Sequence, residues 1–135
     1  MERFEHRVRY AEVDQMHVVY HSRYIEWFEA ARTELLRDWG LPYKKIEEMG
    51  VMLPVIDVRC LYHKAVVYDD LVEIETTISA LTKVKMTLGY VVRRKGDPAV
   101  CATGHSVHCF IKNNKPGRAP EELWNLLNAH YHPEE

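Results

Sequence analysis

The sequence predicts an α+β fold, an antiparallel curved sheet wrapped around one long central helix, with residues 1–135 forming one domain. Three observations carry that expectation. A single long amphipathic pattern occurs early. After Gly50 the apolar period changes from 3.6 to 2 and stays there for about sixty residues. In the last long strand Ala102, Gly104 and Ser106 share one face, which lets a packed layer, most obviously the long helix, come unusually close.

Residues 4–10 are short and mixed, with Val8 and Tyr10 on one face, and read as a first strand. Within residues 22–39, Tyr24, Trp27, Phe28, Ala31, Leu35 and Trp39 recur every three or four positions, while Arg23, Glu26, Glu29 and Arg37 fall elsewhere. That is the stripe of an amphipathic helix. Gly40 suits a left-handed residue closing it, and Pro42 lies where a helix cannot easily continue. Residues 42–50 make a short helical turn. Strands follow over 55–62 and 71–81, and in the second Val72, Ile74, Thr76 and Ile78 alternate with Glu73, Glu75 and Thr77, so one of its faces is wet. Strands over 86–94 and 99–112 form a hairpin through Lys95, Gly96, Asp97 and Pro98, a composition that favours tight reversal. Residues 120–129 make a short closing helix.

Of the residues, 47% are apolar and 28% charged, which is ordinary for a globular chain. A formal net charge of −2 excludes the broad basic surface of a sequence-independent nucleic-acid binder. A small anionic ligand stays open, because a few local cations can hold phosphates. Lys83, Lys85, Lys112 and Arg118 lie near strand ends and are candidates for that work, although the usual fate of such side chains is to be solvated. Three cysteines, Cys60, Cys101 and Cys109, lack paired spacing, and no signal-like apolar run opens the chain, so a reducing cytoplasm is expected. No stretch approaches the roughly 18 to 20 apolar residues that span a bilayer.

The densest chemistry lies between the first strand and the long helix, where Tyr10, Glu12, Asp14, His17, Tyr20, His21 and Tyr24 crowd into fifteen positions. An acid just ahead of a helix start sits beside free backbone N–H groups and the positive end of the helix dipole. One short segment can therefore supply a carboxylate to attack a carbonyl or activate water, and donors for the charge that develops on the carbonyl oxygen. The ordinary fate of an Asp in this place is a helix-start or loop carboxylate. His17 and His21, four apart beside Asp14, also invite a metal reading, but no internal Glu or cysteine pair supports it and no metal is expected.

At these residues the sequence resembles the 4-hydroxybenzoyl-CoA thioesterase and YbgC-like group of hot-dog thioesterases, over nearly the whole chain and most densely over residues 7–32. The pattern is carried by Asp14, Val18, Val19, Tyr20, Tyr24, Glu29 and Arg32. Tyr68, Asp69, Asp70 and Leu71 match the group's approach to its third strand, and residues 115–123 its C-terminal run. The resemblance implies a cofactor-independent acyl-CoA thioesterase in which Asp14 is nucleophile or general base. It implies that the His21 backbone N–H polarises the thioester carbonyl, and that homodimers or homotetramers share active sites at subunit boundaries. His17, Val18, Tyr20 and Tyr24 would shape the acyl pocket, with Lys83, Lys85 and Arg118 toward CoA.

Two positions depart from the group. Val13 stands where it usually has Thr, and His17 where it usually has Gly, a costlier residue at positive φ. Three other readings stay open: a dehydratase or hydratase of the same fold, whose motif spacing is missing here; a non-catalytic acyl or CoA binding module; and a metal-binding protein. His63, His105 and His108 are read as strand residues.

Overall fold

The computed structural model describes residues 2–133. Strand β1 (Glu2–Arg7) precedes a 3-10 turn (Tyr10–Glu12), helix α1 (His21–Asp38) and a short helix α2 (Tyr43–Glu48). Then come β2 (Val51–Met52), β3 (Val55–Tyr62), β4 (Leu71–Leu81), β5 (Lys85–Arg94), β6 (Val100–Cys109), β7 (Ile111–Lys112), β8 (Lys115–Pro116) and α3 (Glu121–Ala129). The main sheet is antiparallel, in the order β1-β4-β5-β6-β3, and β2, β7 and β8 form a small second sheet.

Helix α1 buries Tyr24, Trp27, Phe28, Ala31, Leu35 and Leu36, the stripe expected apart from Trp39, which caps the helix. Its end is closed by Gly40 at φ 83°, with Gly40 N–H donating to Arg37 O and Leu41 N–H to Leu36 O. That paired pattern needs a left-handed residue after the cap. The small-residue face does what its composition suggested. A Cβ added at Gly104 would lie 2.6 Å from the Phe28 ring and 2.6 Å from Arg59 O, so only glycine lets the helix ring sit on the sheet. Phe28 in turn stacks on Tyr90, with centroids 4.3 Å apart.

Three expectations are corrected. The first strand ends at Arg7 rather than running to Tyr10, because Val8 turns to exchange backbone hydrogen bonds with Asp69 and Asp70, and Tyr10 begins the 3-10 turn, exposed. The strand expected over 99–112 breaks at Phe110, whose ring is buried while its N–H donates to Val84 O and its carbonyl accepts from Gly117 N–H. Inserting that side chain takes the backbone off the ladder. Beyond it Asn113 and Asn114 both adopt positive φ, as a two-residue hairpin requires. His63 lies just past β3, whereas His105 and His108 are in β6.

Candidate active site

The segment between β1 and α1 is held by a residue that pattern reading passes over. Glu12 is 2% exposed, and its carboxylate accepts from Arg9 N–H, Trp27 Nε1 and His6 Nε2, each at 2.8 Å. Burial pushes its pKa up, but these donors together outweigh burial and hold it below the ordinary carboxylate range. Glu12 O also accepts from Tyr20 N–H, so one residue fixes both ends of the loop that carries Asp14.

Within that loop Val13 bridges Val19 and Val18 bridges Val67. Asp14 N–H donates to Val18 O at 2.9 Å, and His17 N–H to Asp14 O at 3.0 Å. The side chain of Asp14 accepts from Met16 N–H through Oδ1 at 2.8 Å, leaving Oδ2 without a protein partner among the described residues. His17 takes φ 66°, the left-handed conformation expected where relatives place glycine. Its side chain points to solvent. A His17→Gly variant is therefore expected to stay within about 1 kcal/mol of wild type, whereas β-branched His17→Val should lose roughly 1–2 kcal/mol, read as paired melting temperatures.

Asp14 opens onto a cleft of about 380 Å3 lined also by Val18, Val19, His21, Tyr24, Tyr62, His63, Lys64 and Ala65. His21 is the first residue of α1; Tyr20 before it is extended and offers no side-chain cap. The N–H groups of His21 and Ser22 have no acceptor among the described residues, and the helix dipole adds positive potential there. Tyr62 donates its hydroxyl to His21 O at 2.8 Å and meets Tyr24 edge-on at 4.9 Å. Burial, reinforced by the Cys101 and Cys60 thiols, pushes Tyr24 up to about 12, and burial raises Tyr62 as well. Both phenols thus stay protonated near neutrality and serve as wall and hydrogen-bond donor. Arg94 braces the rim, donating from Nε to Asp70 at 2.9 Å and also to Ala65 O.

Of the residues singled out in the sequence, Asp14, Val18, His21 and Tyr24 come together here. Tyr20 is half exposed and its ring lies tilted against that of His21 at 4.2 Å, and His17 is absent from the lining. Lys83 lies over the Trp124 ring at 4.4 Å. Lys85 pairs with Cys109 at one end of β6, while Tyr62 pairs with Ala102 near the other, a separation of roughly 23 Å at about 3.3 Å per residue. Arg118 sits beside Ala119, whose N–H donates to Lys83 O. Within one chain these cations do not reach the Asp14 cleft. Tyr62 and Lys64 were missed, since an aromatic or a lysine at a strand end carries no periodic signal, and Glu12 was placed in the loop without a role. Among the described residues no group of three His, Cys, Asp or Glu side chains is gathered as a metal would need, and no helix is long and apolar enough to cross a membrane.

The chain is similar to known proteins over nearly its whole length. Residues 8–127 match the thioesterase-like superfamily. The chain is 36% identical over 124 residues to a "Putative esterase" of Aquifex aeolicus, covering 92% of this chain and 95% of the relative. It is 35% identical over 113 residues to the "Putative acyl-CoA thioesterase YneP" of Bacillus subtilis, covering 83% and 82%. The solved structure of hypothetical protein TT1821 from Thermus thermophilus superposes with a TM-score of 0.92 at 32% identity, covering 97% of this chain and 100% of that one.

Proposed function

The chain belongs to the thioesterase-like superfamily, and from that premise we propose that it hydrolyses acyl-CoA thioesters to free acid and CoA, on short-chain or aromatic acyl groups, with Asp14 as the reacting carboxylate. One observation carries the reading: a carboxylate with a free oxygen shares a cleft with the uncapped start of an 18-residue helix. The thioester oxygen accepts from the His21 N–H, which stabilises the negative charge it gains as the carbonyl carbon becomes tetrahedral. Asp14 either attacks that carbon or takes a proton from the water that does. In both routes the C–S bond breaks and the thiol leaves with a proton. Activated water puts its oxygen directly on the acyl carbon, whereas a mixed anhydride on Asp14 is opened by water at the acyl or the Asp14 carbonyl, and in the second case the acid leaves with an Asp14 oxygen that water replaces. Tyr24 and Tyr62, set edge-on to each other, give the cleft an aromatic corner suited to an aromatic acyl group.

The test follows free thiol across a panel of acyl-CoAs, with and without a chelator. Turnover unaffected by the chelator is expected. Binding without thiol release would replace the hydrolase by a passive acyl-CoA module, and loss on chelation would replace the carboxylate mechanism by a metal one.

We further propose that the chain works as a homodimer, or a pair of dimers, in the cytoplasm, where Cys60, Cys101 and Cys109 remain free thiols. Support comes from β3. It is an edge strand of eight residues on which Val55, Ile56, Val58, Leu61 and Tyr62 are exposed, and a long apolar edge invites pairing with another copy. Light scattering should give a multiple of the chain mass, and Val58→Lys should shift it toward monomer with loss of turnover. A monomeric wild type would sink the dimer.

A further inference from the structure

The start of α1 carries no side-chain cap, because Tyr20, the residue before it, makes none. Helix ends without caps fray. Yet donors that meet a developing oxyanion have to be aimed before the reaction begins. Something other than a cap therefore has to hold the first turn.

Tyr62 holds it from the sheet. Its hydroxyl donates to His21 O at 2.8 Å, the one side-chain hydrogen bond to the backbone of that residue among the described residues. Its ring stands edge-on to that of Tyr24, one turn further along the helix, with centroids 4.9 Å apart. The strand end that carries Tyr62 is itself fixed. Tyr62 pairs with Ala102 of β6, and the N–H groups of His63 and Lys64 both donate to Cys101 O, at 2.9 and 3.0 Å.

The hydroxyl is oriented as well. A carbonyl oxygen only accepts, so the single phenolic proton lies on the bond to His21 O, and the Tyr62 oxygen is left to accept from the Cys60 thiol beside it. Burial pushes both the thiol and the phenol up, so each keeps its proton at neutral pH. The chain runs one way, from Cys60 S–H through Tyr62 O–H to His21 C=O.

We propose that Tyr62 is a positioning residue for the hydrolysis: anchored on the sheet, its hydroxyl holds His21 so that the His21 N–H meets the thioester oxygen in the transition state. The proposal rests on the thioesterase reading above and separates two duties of one side chain. The ring faces the acyl group; the hydroxyl faces the helix. Since the N–H and C=O of one helical residue turn together, a bond at the carbonyl limits the swing of the N–H. A misplacement of about 1 Å at a reacting centre costs up to about 10²-fold in rate, and partial fraying costs less.

The test is Tyr62→Phe, which removes the hydroxyl and keeps the ring against Tyr24. With the acyl-CoA that wild type hydrolyses fastest, kcat should fall about tenfold while KM stays within about twofold, the pattern of an interaction that counts only in the transition state. A second readout needs no turnover. The same thioester, labelled with 13C at its carbonyl, is bound to Asp14→Asn, and its carbonyl stretch should move to lower frequency than in solution. Adding Tyr62→Phe should remove most of that displacement. An unchanged kcat, or a raised KM at unchanged kcat, overturns the proposal. So does a joint fall in kcat and melting temperature with equal displacement in both proteins, the mark of a structural role alone. Should wild type hydrolyse no acyl-CoA, the thioesterase reading fails by itself. Labelled benzoyl-CoA bound to wild type and to Tyr62→Phe then decides the positioning role: a displacement lost with the hydroxyl upholds it, and an equal or absent displacement overturns it.

Discussion

Asp14→Asn is expected to lower kcat for thiol release by roughly 10³-fold, within the range found when a positioned acid or base is removed, with the melting temperature held within a few degrees. Asparagine keeps the shape of the side chain and an oxygen that can accept from Met16 N–H, the bond that now holds Asp14 Oδ1. The turn from Asp14 to His17 therefore survives. What is lost is the charge, and with it both the nucleophile and the base. Turnover at the wild-type rate in this variant would remove Asp14 from the mechanism. A single turnover in 18O water separates the two routes, since a mixed anhydride on Asp14 allows label to enter that side chain and water activation does not.

Glu12→Ala is expected to cost about 3 kcal/mol of stability, because it leaves the buried Trp27 indole N–H and the partly buried Arg9 N–H without the carboxylate that accepts from them. For a domain of this size that corresponds to roughly 10 °C in melting temperature. Activity should fall with it, since the same residue anchors the Asp14 loop to α1 and to Tyr20. The pH dependence has a definite sign. The folded-state pKa of Glu12 is lowered, so the folded chain binds fewer protons than the unfolded one as the carboxyl titrates. Its contribution is complete above the ordinary carboxylate pKa and is lost as pH falls through the lowered value. The wild type should thus lose stability more steeply in acid than Glu12→Ala. Parallel acid limbs, or an unchanged melting temperature at neutral pH, would contradict the anchoring role.

The parts of the site visible in sequence are those set by neighbours along the chain. Asp14 ahead of a helix start, the uncapped His21 and the left-handed His17 depend on a few consecutive residues, and each stands where the pattern implied. Glu12 looked like any loop acid. Its importance comes from Trp27, fifteen residues on, whose indole reaches it only once α1 packs against β1. Tyr62 and Lys64 join the cleft because β3 ends beside α1. Lys83 spends its charge on Trp124, a partner brought near by α3, rather than on the cleft.

The sequence by itself determined the order of the long strands and helices, the buried stripe of α1, its stop at Gly40 and the close approach at Gly104, because periodicity and backbone stereochemistry are local properties; the two-residue strands β2, β7 and β8 are too short to carry a period. Tertiary structure alone decided that Phe110 would break the last strand, that Glu12 would be buried and ionised, and that His108 would be buried and neutral. Those outcomes depend on pairs far apart in the chain, such as His108 with Leu53, whose meeting fixes burial, and burial fixes charge and hydrogen-bond direction.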